Sequence, residues 1–220
     1  MKVVAFVPIR LNSKRVSGKN VKMLGDKPLL RYILDTLIKV KNIDEVYVYS
    51  SSKDILQYLP ENVKWLKRPE SLDQDITLGE EIYDAFVKEI DSDVYILAHA
   101  TSPFIKADTI ENAIEKVTLK EYDSAFTVKK IQTFAWFKDK PLNYDLCHIP
   151  RTQTIEPVYV ETSAFYIFKK DIWINHHQRI GFQPYKVIVD KIEGVDIDWP
   201  EDFEFAEKIL QQNNICKSIK

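Results

Sequence analysis

Val3-Val4-Ala5-Phe6-Val7, closed by Pro8, is an unbroken apolar and β-prone run at the start of the chain. A strand with one wet face alternates polar and apolar residues. A strand with no alternation is buried on both faces, as in a parallel sheet covered by helices on both sides. Proline has no N–H for the ladder and ends such a strand. Further on, Leu29, Leu30, Ile33, Leu34, Leu37 and Ile38 recur at helical spacing behind Pro28, a suitable first-turn residue. A buried strand, a polar loop and an amphipathic helix make the first unit of an α/β fold.

The same rhythm extends outward. Val46 to Tyr49 reads as a second strand, and Ser50-Ser51-Ser52 before Lys53 reads as a helix start. A short strand at Val63 to Leu66 follows, then a helix over about Leu78 to Ile90. Next come a strand at Val94 to Ala98, a helix over about Ala107 to Leu119, and a strand at Ser124 to Val128. The pattern predicts a three-layer α/β/α domain around a mostly parallel, twisted sheet. Over residues 129–163 the rhythm breaks into aromatics and prolines, which reads as an insertion or an oligomerisation arm. Ala164 to Phe168 then rejoins the sheet, and a last unit follows, with a strand at Val187 to Val189 and a helix from Pro200 to Leu210.

Composition bounds the function. At 220 residues the chain fits one domain, and 45% hydrophobic with 29% charged residues excludes disordered and membrane-embedded classes. Lys+Arg 31 against Asp+Glu 33 gives a net charge of -2, which argues against a nucleic-acid partner. The apolar run after Met1 is too short for a signal segment, and no run reaches the ~20 residues of a membrane span. Cys147 and Cys216 have no metal-like spacing. These features predict a cytoplasmic protein with no membrane contact.

In open α/β sheets, ligands bind beyond the carboxyl ends of the strands. The loop there runs from Pro8 to Asn20 and carries Arg10, Lys14, Arg15 and Lys19 with only Gly18 among them. Neither GxGxxG nor GxxxxGK[ST] is present, so Rossmann and P-loop phosphate sites fail. A polyanion could still be held by side-chain cations and loop N–H groups. A merely solvated basic loop reads equally well from these residues alone.

The spacing of Pro8, Arg10, Ser13, Lys14, Lys19 and Asn20 resembles the P-A-R-x-x-S-K-x-x-x-x-K-N signature of the acylneuraminate cytidylyltransferases, enzymes that activate acidic sugars. Arg68-Pro69 through Asp75 and Thr77 resembles that family's R-P-x-x-L-x-x-D-x-[TS] segment. His99-Ala100-Thr101-Ser102-Pro103 resembles its Q-P-T-S-P segment, Pro150-Arg151 its P-R-x-Q, Glu161 to Tyr166 its E-N-G-A-F-Y, and Asp196 to Asp202 its D-I-D-x-x-x-D. The chain departs at Arg15, where glycine is common, at His99, where glutamine is usual, and at Thr162-Ser163, which replace Asn-Gly.

The resemblance implies a fold like the nucleotide-diphospho-sugar transferases, CTP and an acidic sugar as substrates, Mg²⁺ or Mn²⁺ as cofactor, and a homodimer built through the 129–163 arm. It implies CTP contacts at Arg10, Leu11, Ser13, Lys14, Lys19, Asn20, Arg68 and Asp75, with catalytic roles for Lys19, Arg10 and Asp198. It places sugar contacts at His99, Thr101, Ser102, Arg151 and Glu161, and metal at Asp196 and Asp198. The expected reaction is attack of an anomeric hydroxyl of a nonulosonic acid on the α-phosphate of CTP, releasing pyrophosphate. A different sugar acid or nucleotide, or a non-catalytic nucleotide binder, stands beside it. Asp198 as the cap of the Pro200 helix, Thr77 as the cap of the Leu78 helix, and Arg68 as an exposed turn residue are the corresponding structural readings.

Overall fold

The computed structural model describes residues 1–13, 15–119 and 121–218, without the side chains of 213–218. A seven-stranded sheet is formed by β1 (Val3–Pro8), β2 (Glu45–Ser50), β3 (Val63–Lys67), β4 (Val94–Ala98), β5 (Ser124–Ile131), β6 (Val158–Lys169) and β7 (Pro184–Ile188). Helices α1 (Leu29–Leu37), α2 (Gly79–Glu89), α3 (Ala107–Thr118), α4 (Lys170–His176) and α5 (Pro200–Ser218) surround it. The order across the sheet is β7-β5-β6-β4-β1-β2-β3. β6 is antiparallel to both neighbours, and the other adjacent pairs are parallel.

The position of β1, between β4 and β2, explains its unbroken apolar run. Val3, Ala5 and Val7 pack on one face against Leu30, Ile33 and Leu34 of α1 and Ile110 and Ile114 of α3. Val4 and Phe6 face the opposite layer, where Phe86 of α2 and Trp173 of α4 belong to an aromatic cluster. Phe6 and Phe86 stack with centroids 4.1 Å apart. A third cluster seats α5, through Phe203 and Ala206, on Leu24, Leu29, Val195 and Ile197.

Several local expectations are corrected. Lys53–Tyr58 forms only a 3₁₀ turn, started by Ser52 Oγ accepting from Asp54 N at 3.2 Å and halted before Pro60. Thr77 does not cap α2; the N-cap is Leu78, whose N–H donates to Glu81 Oε2 at 2.6 Å. The final helix continues past Leu210 to Ser218.

The interruption at 129–163 is also narrower than its sequence suggests. β5 runs to Ile131 and β6 starts at Val158, so the two ends of that segment extend the sheet as an antiparallel ladder. Those extensions are largely exposed, which removes the buried-strand signal. The arm between them contains a small hairpin, Trp136–Phe137 paired with Lys140–Pro141. Asn143 Nδ2 donates to Thr133 O at 3.0 Å and to Glu156 O at 2.7 Å, tying the arm's two ends together.

Candidate active site

The chain crosses from β1 to β2 on one side and later places β4 on the other, so the carboxyl end of β1 is the switch point at which open α/β sheets bind ligands. A cavity of ≈ 810 Å³ opens there, walled by Arg10, Leu11, Ser13 and Gly18 of the first loop and by Ser51 and Asp75. It shares Arg10 and Ser13 with a hollow of ≈ 380 Å³ that adds Lys19, Asn20, His99, Thr101 and Asp198. Residues distant in sequence therefore meet in one cleft. Lys14 lies outside the described residues.

The first loop is shaped by Gly18, whose φ of 59 is the left-handed conformation that glycine adopts without a Cβ clash. Its carbonyl accepts from Val21 N and Lys22 N, both at 2.9 Å, and the turn aims Lys19 inward. Asn20 Nδ2 donates to Arg10 O at 2.9 Å and closes the loop on itself. Arg10 Nη1 pairs with Asp75 at 3.2 Å and donates to Asp73 O at 3.2 Å. Arg68 is buried, which overturns its reading as an exposed turn residue. It is ion-paired with Asp73, which also accepts from the Ser51 hydroxyl, so Arg68 braces the cleft floor.

Lys19 is a second buried cation. Its Nζ donates to Ile197 O at 2.7 Å and to Asp198 Oδ1 at 3.1 Å, while Arg15 approaches Asp198 Oδ2 at 3.0 Å. Partial burial opposes ionisation of Asp198, but Lys19 and Arg15 outweigh it and hold the carboxyl below its usual range. Asp198 does not cap α5. Asp202 Oδ2 does so, accepting from Asp198 N at 3.0 Å and Trp199 N at 2.8 Å.

Asp196 sits beside this pair. Burial raises its pKa, an effect opposed by a hydrogen bond from Thr101 and reinforced by the charge of Asp198. Its Oδ1 is buried without a partner. A buried carboxylate oxygen lacking a donor, next to a second carboxylate, is the hard-oxygen donor set that a divalent cation fits. Among the described residues there is no cluster of three or more metal-ligating side chains, so phosphate and water oxygens would complete such a shell.

The far side of the cleft is set by His99. Its Nδ1 lies 2.6 Å from Ser163 O; a carbonyl only accepts, so Nδ1 carries the proton and Nε2 is left as an acceptor. Burial lowers its pKa to about 4, an effect opposed by the Ser163 hydrogen bond and assisted by the Arg179 charge. Tyr166 OH donates to Glu161 Oε2 at 2.6 Å. Arg179 lies over the Tyr166 ring at 3.9 Å, 3.7 Å from Glu161, and bonds Tyr83.

Two expected sugar contacts do not face the cleft of their own chain. Ser102 is fully buried beneath the cleft floor, since the turn after β4 points its hydroxyl into the core. Arg151 is exposed on the arm and is not among the residues that wall the cleft of its own chain. Arg179 and Tyr83 were missed. Neither stands in a motif, and only the fold brings α2 and the segment after α4 to the mouth of the cleft.

The Cytidylyltransferase family model matches residues 4–219. The chain belongs to this family. A CMP-N,N'-diacetyllegionaminic acid synthase of Legionella pneumophila is 26% identical over 97% of this chain and 98% of its own length. An N-acylneuraminate cytidylyltransferase of Escherichia coli O18:K1:H7 is 29% identical over 97% of this chain and 53% of its own. The chain thus spans nearly all of the Legionella relative and about half the length of the neuraminate relatives it matches. A solved CMP:2-keto-3-deoxy-manno-octonic acid synthetase complexed with CTP superposes with a TM-score of 0.72 at 15% identity, covering 97% of this chain and 100% of that one. The last match concerns the fold alone.

Proposed function

We propose that this cytidylyltransferase moves CMP from CTP to the anomeric hydroxyl of a nonulosonic, sialic acid-like sugar acid. The observation that carries the reading is the Lys19–Asp198 pair beside the unpartnered Asp196 oxygen, at the carboxyl end of β1. Nucleotidyl transfer needs positioning and charge stabilisation more than a protein nucleophile, and the site is built of those. The hydroxyl oxygen bonds to the α-phosphorus, the bond to the β-phosphate oxygen breaks, and the hydroxyl proton leaves with the products.

Arg10 and Lys19 meet the triphosphate, and Arg68 keeps the floor rigid through Asp73. Asp196 and Asp198 would hold Mg²⁺ or Mn²⁺, which when bound supplies charge neutralisation on the phosphates and acidifies the attacking hydroxyl. Neutral His99 offers Nε2 to a sugar hydroxyl. The arm, with Arg151, serves a homodimer in which it reaches the partner's cleft. The test is pyrophosphate release with each nucleoside triphosphate, Mg²⁺ and a panel of sugar acids. Turnover with CTP and a nonulosonic acid is expected; CTP binding without turnover of any acid would leave only a nucleotide binder.

A further inference from the structure

Asp198 is held by one cation on each oxygen, Lys19 on Oδ1 at 3.1 Å and Arg15 on Oδ2 at 3.0 Å. A divalent ion at the Asp196–Asp198 pair would share one of those oxygens with the cation already on it, and like-charge repulsion favours the departure of whichever cation is held less firmly. The two are not equivalent. The Lys19 side chain is 11% exposed, and withdrawing its ammonium would strand the carbonyl of Ile197, a fully buried residue. The Arg15 side chain is 52% exposed, and its second contact is the face of Trp199, 5.1 Å away and itself largely exposed. An exposed ion pair and an exposed cation–π contact are both weak, so Arg15 is the cation that can leave.

We infer that Arg15 is a displaceable cation: it occupies Asp198 in the nucleotide-free protein and passes to the triphosphate when metal and nucleotide arrive together. The proposal rests on the nucleotidyl-transfer reading for the incoming anion; the Arg15–Asp198 contact rests on the distance alone. Arg15 lines the same hollow as Arg10, Ser13 and Lys19, so a polyphosphate bound there lies within its reach. A guanidinium binds phosphate oxygens in a fork, a stronger bond than the exposed pair it gives up. While it stays on Asp198, it screens the acidic pair from free metal. Once it moves, it frees Oδ2 and adds charge to the anion. Metal and nucleotide then bind with positive coupling, each favouring the other.

The test measures binding by the full chain. Mn²⁺ affinity without nucleotide, read by electron paramagnetic resonance, is compared for the wild type, Arg15→Gln and Arg15→Lys, with thermal melting as the check on folding. Arg15→Gln is expected to bind Mn²⁺ roughly two- to fivefold more tightly, the worth of an exposed pair, and Arg15→Lys to resemble the wild type. The same Arg15→Gln chain is expected to bind CTP with Mn²⁺ several-fold more weakly. A loosened loop cannot give opposite signs in the two measurements. An Mn²⁺ affinity that is unchanged, reduced or undetectable in Arg15→Gln overturns the proposal, as does unaltered CTP binding. Wild-type protein that turns over no sugar acid overturns the function reading instead and leaves the Mn²⁺ comparison decisive for Arg15.

Discussion

The imidazole of His99 is anchored to the backbone of Ser163, Nδ1 to O at 2.6 Å, and Ser163 is itself held at φ 58. The register between β5 and β6 slips between Glu161 and Tyr166, so this residue lies in a bulge that turns its carbonyl toward the histidine. A non-glycine residue in the left-handed region costs about 1–2 kcal/mol, which the greater unfolded-state freedom of glycine, about 0.5–1 kcal/mol, only partly offsets. Ser163→Gly is therefore expected to stabilise the protein by a few tenths to ~1 kcal/mol in urea unfolding, and Ser163→Val to destabilise it by at least as much. A stabilising valine would show that the bulge is not strained.

The lowered pKa of His99 fixes a sign. It moves from 6.5 to about 4, so between those values the unfolded chain takes up a proton that the folded chain refuses. Stability should fall as pH drops through that window, by an amount on the order of 1–3 kcal/mol, and should be insensitive to this group above it. The raised pKa of Asp196 acts in the opposite sense, so the difference between wild type and His99→Gln isolates the histidine. The variant's stability curve is expected to be flatter below neutrality; parallel curves would mean that His99 titrates normally.

The two aspartates at the start of α5 separate by role. Asp202 accepts from two backbone N–H groups, and Asp202→Ala should cost about 1 kcal/mol of stability with turnover retained within a few-fold. Asp198→Asn keeps the shape of the side chain but weakens its grip on a cation, so it should lower turnover by ~100-fold or more without lowering the melting temperature comparably. The reverse assignment of losses would return Asp198 to a capping role.

Much of this was legible before folding. The apolar run from Val3 to Val7 reports a strand covered on both faces, and Arg10 to Asn20 reports the loop because its cations lie close together in sequence. What periodicity could not report was contact made across the fold. Arg68 looks exposed next to Pro69, yet it is buried because Asp73 neutralises it within the same turn. Ser102 belongs to a motif, but motifs do not say which way a turn points. The extension of β6 back to Val158 is exposed and carries no burial pattern.

Arg179 is the clearest case of a residue found only by the fold. Its guanidinium is fixed by the Tyr166 ring, Glu161 and Tyr83, and it lines a hollow of ≈ 360 Å³ with Trp173 and His177. It lies beyond His99, away from Lys19 and Asp198. Arg179→Gln is thus expected to raise the KM for the sugar acid by roughly tenfold, the worth of one charge-assisted hydrogen bond, with the KM for CTP unchanged. An equal rise in both would place Arg179 in general support of the cleft.

The arm tests the assembly. Trp136 is 55%, Phe137 64%, Leu146 59% and Ile149 67% exposed, a concentration of large apolar groups that monomeric surfaces rarely leave in water. If a second copy covers them, a charge placed among them is desolvated on association and opposes it. Phe137→Glu is expected to shift the sedimentation of the protein from dimer to monomer while the melting of the sheet domain stays cooperative. Arg151, remote from its own cleft, should then matter only in the dimer. If the arm reaches a partner's cleft, Arg151→Ala should raise the sugar-acid KM in the otherwise unchanged chain and change nothing further in Phe137→Glu. Sedimentation of Phe137→Glu identical to that of the wild type would remove this face from the interface.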